Sequence, residues 1–380
     1  MELGNVASQR RQGSMANANR LKLGLFSSNC KGGMAITTVP ERWSATWENN
    51  IALARMVDAA GLEFLLPIGR WRGYGGASDF QGSSLETITW AAGLLAHTTS
   101  CTVFGTIHAP MFHPIVAAKQ MATVDLLSGG RFGLNLVCGW NQDEFDMFGK
   151  EQLEHDERYE YGQEWLDVVR TLWREQDPVD FRGRYFESSD LIGEPKPFAG
   201  SEPVLMNAGY SPAGRAFAMR NCEFLLTSLI DLDSGRNDVA TVRATARQQH
   251  GREIDLIATA HVVCRPTAAE ADEFHHYYAV EHGDWEAAEH LMELAGLHAQ
   301  FFPPEHYEQF RVRFTGGHGT YPIIGTPDHV ADELERIAEA GFAGAGFSFV
   351  DYLAELPYFR DEVLPRLEAR GVRTTPAEHP

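Results

Sequence analysis

The chain has 380 residues, of which 44 % are hydrophobic and 22 % are charged, and its formal net charge at pH 7 is −20. This length allows one large hydrophobic core or two modest ones. Such an acidic surface repels nucleic acids and anionic membranes, and no run of about 18 apolar residues exists that would span a bilayer. We therefore expect a cytoplasmic protein with no nucleic-acid or membrane partner.

The chain ends, the cysteines and the histidines add further limits. Residues 1–20 are polar and lack the apolar segment of a signal peptide, so we expect a disordered N-terminal extension there and a flexible tail over 373–380. The five cysteines contain no CxxC pair, which predicts free buried thiols. The 15 histidines contain no HxH or HExxH pattern, so we expect no metal site.

Apolar segments with strand character recur along the chain and alternate with helical patterns. We predict strands at 21–26, 64–68, 101–106, 132–137, 203–206, 224–227, 256–263 and 344–350. Apolar residues at helical spacing predict a helix over 155–174, and Thr326-Pro327 predicts the N-cap and first residue of another. Most of the strands are almost continuously apolar, which is typical of parallel strands buried on both faces.

Eight such strand–helix units predict a (β/α)₈ TIM barrel as a single α/β domain over 21–372. A doubly wound sheet is the alternative, but no GxGxxG follows the first strand. The region of about 270–321 is longer than one crossover helix requires, so we expect an insertion of extra helices before the last strand. Its glycine-rich segment 314–320 is expected to be a lid-like loop over the site.

In a barrel the active site lies at the C-terminal ends of the strands. That rule selects, in chain order, the loop that begins at Gly69, the strand end at Thr106, and Asn135 near the end of the fourth strand. Asn135 interrupts an apolar strand, so it either bonds to local backbone or faces a cavity. The Thr106 hydroxyl likewise either bonds to backbone or serves a ligand.

Two later segments have features of an anion site. Ser211 precedes Pro212, a pattern that predicts a helix N-terminus, for which an ordinary N-cap is the simpler interpretation and an anion site at free amides is the alternative. Arg158 and Tyr159 open the helix after the fourth strand and offer a cation and a phenol to a phosphate. A surface pair between Asp156 and Arg158 is the alternative for that segment.

At these residues the chain resembles the bacterial-luciferase-like superfamily of flavin-dependent monooxygenases. It is most similar to the branch that contains pyrimidine monooxygenase and dimethyl-sulfone monooxygenase. The similarity extends from 22 to 372 and is weakest between 229 and 321. The matching segments are RGYGG at 72–76, SGGRFGLNLV at 128–137 with GW at 139–140, LEHDERY at 153–159, AGYS at 208–211 and IGTP at 324–327.

The resemblance implies a barrel that binds reduced FMN (FMNH₂) at its top and uses O₂ through a flavin peroxide, possibly an N5-peroxide, to oxygenate and cleave a small organic substrate. It implies an oxygen pocket made by Thr106 and Asn135, and a substrate pocket that includes Trp71, His108 and Trp140. Positions that match flavin contacts in similar enzymes are Gly69, Arg70, Asn135, Glu144, Arg158, Tyr159 and Ser211.

The resemblance further implies a two-component system, in which a separate NAD(P)H:flavin reductase supplies reduced FMN, and a homodimer or homotetramer. The substrates that it suggests are a heterocyclic amide, a small sulfone or sulfonate, or a halogenated aromatic. Segment 107–112 differs from the small apolar run of the pyrimidine enzyme, which points away from uracil. A deazaflavin-dependent oxidoreductase on the same barrel and a non-catalytic flavin-binding protein are the alternatives.

Overall fold

The computed structural model describes residues 14–297 and 304–374, with the side chains of 304–306 excluded. Parallel strands form a closed barrel in the order β1-β2-β3-β4-β7-β8-β9-β11, and β11 pairs again with β1. The strands are β1 Lys22–Phe26, β2 Phe64–Leu66, β3 Thr102–His108, β4 Phe132–Val137, β5 Val179–Arg182, β6 Glu187–Leu191, β7 Val204–Asn207, β8 Phe224–Ser228, β9 Asp255–Cys264, β10 Tyr321–Gly325 and β11 Gly344–Ser348.

Helices follow the barrel strands and cover the outside of the sheet. They are α1 Trp47–Ala59, α2 Thr87–Leu95, α3 Pro114–Leu127, α4 Gln142–Met147, α5 His155–Arg174, α6 Pro212–Asn221, α7 Leu232–His250, α8 Ala268–His276, α9 Trp285–Leu294, α10 Pro304–Gly317, α11 Pro327–Glu339, α12 Tyr352–Tyr358 and α13 Leu364–Ala369. Short 3₁₀ turns lie at Ser14–Ala16, Ala109–Met111 and Phe198–Gly200, and π turns at Tyr277–Glu281 and Phe359–Val363.

The predicted (β/α)₈ barrel is confirmed, and each predicted strand is present. The predicted helix α5 has the expected bounds, and Thr326 caps α11 by accepting a hydrogen bond from the amide of His329. Two elements were not predicted. The antiparallel hairpin β5–β6 follows α5, and β10 pairs with the C-terminal half of β9 outside the closed barrel.

Side chains alternate along each strand between the barrel interior and the helix layer. Large apolar residues such as Phe64, Phe104, Phe224 and Ile257 fill the interior near the amino ends of the strands. The residues next to them on the same strands, for example Leu65 and Val103, pack against the helices instead. Because the lower interior is filled, the room inside the barrel lies towards the carboxyl ends of the strands, where the sites of such barrels are found. A second cavity, of about 290 Å³, opens at the amino end between Met15 and Phe224.

The predicted N-terminal extension requires a correction over residues 14–20, which pack against the amino end of the barrel. The Ser14 hydroxyl donates to the carbonyl of Glu63 over 2.8 Å, and the Asn17 amide donates to the Glu63 carboxylate over 2.9 Å. The backbone amide of Thr374 donates to the Asn19 side chain over 2.8 Å, so the start of the predicted tail is held there as well. Residues 1–13 and 375–380 lie outside the described residues.

The insertion before the last strand consists of α8, the Tyr277–Glu281 turn, α9 and α10. The expected lid-like loop at 314–320 is wrong, because Phe314 to Gly317 form the last turn of α10 and pack inward. Phe314 belongs to an apolar cluster with Ile36, Tyr74 and Phe80, and the side chain of Thr315 is fully buried. The insertion therefore packs on the first and second barrel loops.

The five cysteines are buried and free, as predicted. Within the described ranges, no helix combines the length and the apolar character that crossing a membrane requires. No group of three or more His, Cys, Asp or Glu side chains suited to a metal ion occurs in that part of the chain either.

Candidate active site

Thr106 and Asn135 face each other inside the carboxyl end of the barrel. They are paired across β3 and β4, and the Asn135 Nδ2 group donates to the Thr106 hydroxyl over 3.2 Å. The Thr106 hydroxyl in turn donates to the carbonyl of Pro67 over 2.6 Å. Both side chains are almost fully buried, with 5 % and 4 % of their surface exposed. Of the two alternatives for Thr106, the backbone hydrogen bond is observed, and the hydroxyl also accepts a hydrogen bond from Asn135.

The Asn135 Oδ1 atom is buried and has no hydrogen-bond partner in the described structure. An unsatisfied buried acceptor costs about 1–3 kcal/mol, and nothing in the local packing compensates for it. Of the two alternatives for Asn135, local backbone bonding is therefore not observed. The amide oxygen is available to a donor on a ligand.

Arg70 and Glu144 form a buried ion pair next to this amide–hydroxyl pair. Arg70 Nη1 lies 2.8 Å from Glu144 Oε1, and the two side chains are 3 % and 1 % exposed. The amide of Trp71 also donates to Glu144 Oε1 over 2.8 Å, and Arg70 Nε donates to Gln81 Oε1 over 3.2 Å. Glu144 thereby fixes the loop after β2 against the start of α4.

The Glu144 carboxylate stays ionised although it is buried. Burial alone would raise its pKa, but contacts from His108 and the charge of Arg70 outweigh this and lower the pKa of Glu144 to about 2. Its second oxygen, Oε2, lies 3.4 Å from His108 Nδ1 and has no other close donor among the described residues. A fixed negative charge therefore faces His108.

His108 follows Thr106 by two positions on β3, so both side chains point to the same face of the sheet. His108 is 4 % exposed and lines a cavity of about 280 Å³ together with Gly69, Arg70, Trp71 and Thr106. A methyl group at Gly69 would lie 3.2 Å from His108 Nε2. The glycine at position 69 therefore leaves this nitrogen uncovered.

Aromatic side chains surround Arg70 and the cavity. The Arg70 guanidinium lies 4.8 Å from the centre of the Tyr74 ring and 5.5 Å from that of Trp140. Trp71 is 38 % exposed and contacts Phe112, with ring centres 6.0 Å apart. Trp71 and His108 thus line one cavity, whereas Trp140 packs with the insertion on the other side of Arg70.

Arg158, Tyr159 and Ser211 come together in a second group, at the carboxyl ends of β4 and β7. Arg158 Nη1 donates to the carbonyl of Gly139 over 2.7 Å, while its buried Nε has no partner in the described structure. The Tyr159 hydroxyl lies near Ser211 at the amino end of α6, and a methyl group at Gly214 would lie 2.6 Å from it. Ser211 caps α6 by accepting from the amide of Gly214 over 3.2 Å.

The structure thus brings the predicted residues into two groups at the carboxyl end of the barrel. The first contains Gly69, Arg70, Trp71, Thr106, His108, Asn135, Trp140 and Glu144, and the second contains Arg158, Tyr159 and Ser211. Thr259 and His261 on β9 have buried polar atoms without partners and were not predicted. His261 had the same signal as Asn135, a polar residue inside an apolar strand.

A closed parallel barrel with buried, partly unsatisfied polar groups at the carboxyl ends of its strands defines the class of TIM-barrel enzymes with a site at the top. A family model described as luciferase-like monooxygenase matches residues 21–344. The chain belongs to this family.

Curated relatives match along nearly the whole chain. The FMNH₂-dependent dimethylsulfone monooxygenase of Pseudomonas fluorescens is 29 % identical over 369 residues, which cover 94 % of this chain and 98 % of that protein. Pyrimidine monooxygenase RutA of a Bradyrhizobium species is 28 % identical over 370 residues, which cover 94 % and 100 %. The crystal structure of DmoA from Hyphomicrobium sulfonivorans superposes with a TM-score of 0.83 at 22 % identity, over 95 % of this chain and 90 % of that one.

Proposed function

We propose that this protein is a two-component FMNH₂-dependent monooxygenase that oxygenates and cleaves a small organic molecule. The observation that carries the proposal is the unpartnered oxygen of Asn135 beside Thr106, buried at the carboxyl end of the barrel. Family membership and the FMNH₂-dependent relatives support reduced FMN over a deazaflavin. The same relatives support an enzyme over a non-catalytic flavin-binding protein.

The residues of the site fit reduced FMN in particular. Reduced flavin carries an N–H donor at N5, whereas oxidised flavin has only an acceptor there, and Asn135 Oδ1 is a buried acceptor that lacks a donor. Gly69, Arg70 and Glu144 would line the ring at the ends of the second and fourth strand units. Bound reduced FMN would supply the electrons that activate O₂ as a flavin peroxide.

Asn135 and Thr106 then have separable tasks in the oxygen pocket. The Thr106 hydroxyl already donates to Pro67, so it serves mainly to orient the Asn135 amide. The second Nδ2 hydrogen of Asn135 is the donor that remains for oxygen, because a primary amide has two. A positioned donor to developing negative charge contributes about 10²–10³-fold in rate.

Arg158, Tyr159 and Ser211 would hold the FMN phosphate. The Tyr159 hydroxyl lies beside the amino end of α6, where backbone dipoles favour an anion, and the neighbouring Arg158 has a buried Nε without a partner in the described structure. Trp71, His108 and Trp140 would contact the substrate, while the closed barrel wall and the packed insertion keep water from the oxygenating species.

The test is oxygenation by the purified, full-length protein with and without an added NAD(P)H:flavin reductase, in the presence of FMN and ¹⁸O₂. We expect NAD(P)H-dependent incorporation of ¹⁸O into a screened substrate only when the reductase is present, as a cytoplasmic two-component system requires. NAD(P)H oxidation by the protein alone, or tight binding of a deazaflavin in place of FMN, would contradict the proposal.

A further inference from the structure

The tasks proposed above for Glu144 and His108 do not explain why the two buried side chains face each other. His108 Nδ1 lies 3.4 Å from Glu144 Oε2, and that oxygen has no hydrogen-bond partner in the described structure. The other oxygen, Oε1, already accepts from Arg70 and from the amide of Trp71, each over 2.8 Å. The carboxylate is therefore held rigidly, with one free oxygen turned to the imidazole.

This arrangement favours one tautomer of the His108 ring. A carboxylate facing Nδ1 favours the tautomer with the proton on that atom, so Nε2 becomes an acceptor. The hydrogen bond between a catalytic base and its orienting group is often long in the absence of substrate. The 3.4 Å between His108 Nδ1 and Glu144 Oε2 is such a distance. The imidazole is thus prepared to accept a hydrogen bond or a proton.

The Nε2 atom opens into the cavity that borders the oxygen pocket. Among the described residues, none hydrogen-bonds to it, and Gly69 lacks the methyl group that would cover it at 3.2 Å. His108 lies two residues beyond Thr106 on the same face of β3, which places it roughly 7 Å further along the strand. Trp71 and Phe112 line the same cavity and suit a flat ring.

Building on the proposed function, we propose that His108 is a catalytic residue that accepts the hydrogen of a substrate N–H or O–H group, with Glu144 as its positioning residue. The proton moves to Nε2, and the bonding electron pair stays on the substrate, which becomes an anion. The imidazolium so formed faces the Glu144 carboxylate, which stabilises its charge. The anionic substrate is richer in electrons and therefore reacts more readily with an electrophilic oxygen.

The substrate class that follows is a planar molecule with an amide N–H or a phenolic O–H. A dialkyl sulfone offers only acceptor oxygens and has no hydrogen for Nε2 to accept. Among the substrates suggested by the family resemblance, a heterocyclic amide or a hydroxylated aromatic fits His108, and a sulfone does not.

Binding of matched probes to the full-length protein with saturating FMN tests the acceptor role. The matched pairs are phenol with anisole and uracil with 1,3-dimethyluracil, and dimethyl sulfone is an additional probe. Binding is measured by the quenching of tryptophan fluorescence. We expect the donor-bearing member of at least one pair to bind about tenfold tighter or more, because its analogue leaves Nε2 unpaired. Equal affinities within both pairs would overturn the proposal, and so would a failure of all four compounds to bind.

Variants assign the discrimination to His108. His108→Phe should reduce the affinity ratio to near one, and Gly69→Ala should do the same with His108 intact, because its methyl group would cover Nε2. His108→Gln should keep the ratio, since its amide oxygen can replace the acceptor, but should lose kcat at unchanged KM when a flavin reductase is added. An unchanged ratio in His108→Phe, or full kcat in His108→Gln, would refute the role.

Glu144 is tested through the same ratio. Glu144→Gln should lower the preference for donor-bearing probes, because an amide that donates to Nδ1 shifts the ring hydrogen to Nε2. If the variant does not fold, Gly69→Ala and His108→Phe still decide the question. FMN binding, read from flavin fluorescence, is recorded separately. A wild type that fails to bind FMN would refute the proposed function, whereas the probe ratios report on His108 alone.

Discussion

The barrel buries a glutamate at each end, and the two differ in how their oxygens are satisfied. At the amino end, Glu63 is fully buried and accepts from the side chain of Asn17 over 2.9 Å, from that of Asn19 over 2.5 Å and from the backbone amide of Leu23 over 2.7 Å. At the carboxyl end, Glu144 Oε2 has only His108 nearby, at 3.4 Å.

Arg131 and Arg158, one near each end, differ in the same way, whereas Arg373 beside Glu63 also has a buried Nε and Nη1 without partners in the described structure. Arg131, at the amino end, donates to the carbonyls of Ser128, Cys101 and Leu95 and to both oxygens of Thr98. Arg158, at the carboxyl end, donates to one carbonyl and leaves a buried Nε unpaired. Saturated polar groups stabilise a fold, whereas buried groups without partners are retained at a cost. Three of them, on Asn135, Glu144 and Arg158, lie at the carboxyl end, where barrel enzymes bind their ligands.

The largest effect, a loss in the free energy of unfolding, should come from Glu63→Gln. A glutamine can keep only one of the two acceptor positions, so its N–H groups would face either the donors of Asn17 and Asn19 or the backbone amide of Leu23. Arg373, 3.9 Å from Glu63, would also lose its buried counter-charge. Removing one member of such a group costs about 3–5 kcal/mol, so we expect a matching loss in the free energy of unfolding by denaturant titration. Oxygenation per folded molecule should stay at the wild-type rate. A normal stability, or a selective loss of activity, would break the comparison.

Asn135→Ala should have the opposite profile. We expect oxygenation with an added reductase to fall by about 10²–10³-fold, because the remaining donor to oxygen is lost. The free energy of unfolding should change by only about 1 kcal/mol, since the variant loses one hydrogen bond and one unsatisfied acceptor together. Thr106→Val removes the hydroxyl that orients Asn135 and is the matched control. Its rate of oxygenation should lie between those of the wild type and of Asn135→Ala. Wild-type turnover in Asn135→Ala would remove the assigned role.

The pH dependence of stability sharpens the contrast. The pKa of Glu144 is about 2 in the folded protein, against an ordinary value of 4.5. Its contribution to stability is therefore complete above about pH 4.5 and is lost as the pH falls towards 2, and it amounts to about 3 kcal/mol at neutral pH.

Unfolding titrations at several pH values test this contribution. We expect the difference in unfolding free energy between the wild type and Glu144→Gln to be largest at pH 7 and to shrink on acidification. A difference that is constant between pH 7 and pH 3 would show that the carboxylate charge is not what stabilises the site.

The smallest effect is expected from Arg158→Met, which should weaken FMN binding by about 10–100-fold, since a charge-assisted hydrogen bond contributes about 1.5–3 kcal/mol. Flavin fluorescence titration measures it. Arg131→Met is the matched change at the amino end and should lower the melting temperature without altering FMN affinity per folded molecule. Equal FMN affinities in the two variants would argue against a phosphate site at Arg158.

The sequence predicted the strands and Asn135 because each has a local signal, an apolar run or a polar break within one. It could not show that Arg70 meets Glu144, which lies 74 residues away, because the geometry of two loops decides that contact. It misassigned residues 14–20 for a related reason. Asn17 and Asn19 look solvated in sequence, but their partner is the buried Glu63 carboxylate.

Anaerobic stopped-flow mixing of FMNH₂-loaded protein with O₂ tests the central claim most directly, because it needs no substrate. The wild type is predicted to bind FMNH₂ and to show an absorbing intermediate before oxidised FMN appears. Asn135→Ala is predicted to bind FMNH₂ up to about tenfold more weakly, because it loses the acceptor for the N5 hydrogen, and to lack that phase at saturating FMNH₂. A wild type that does not bind FMNH₂, or identical traces for the two proteins, would contradict the account.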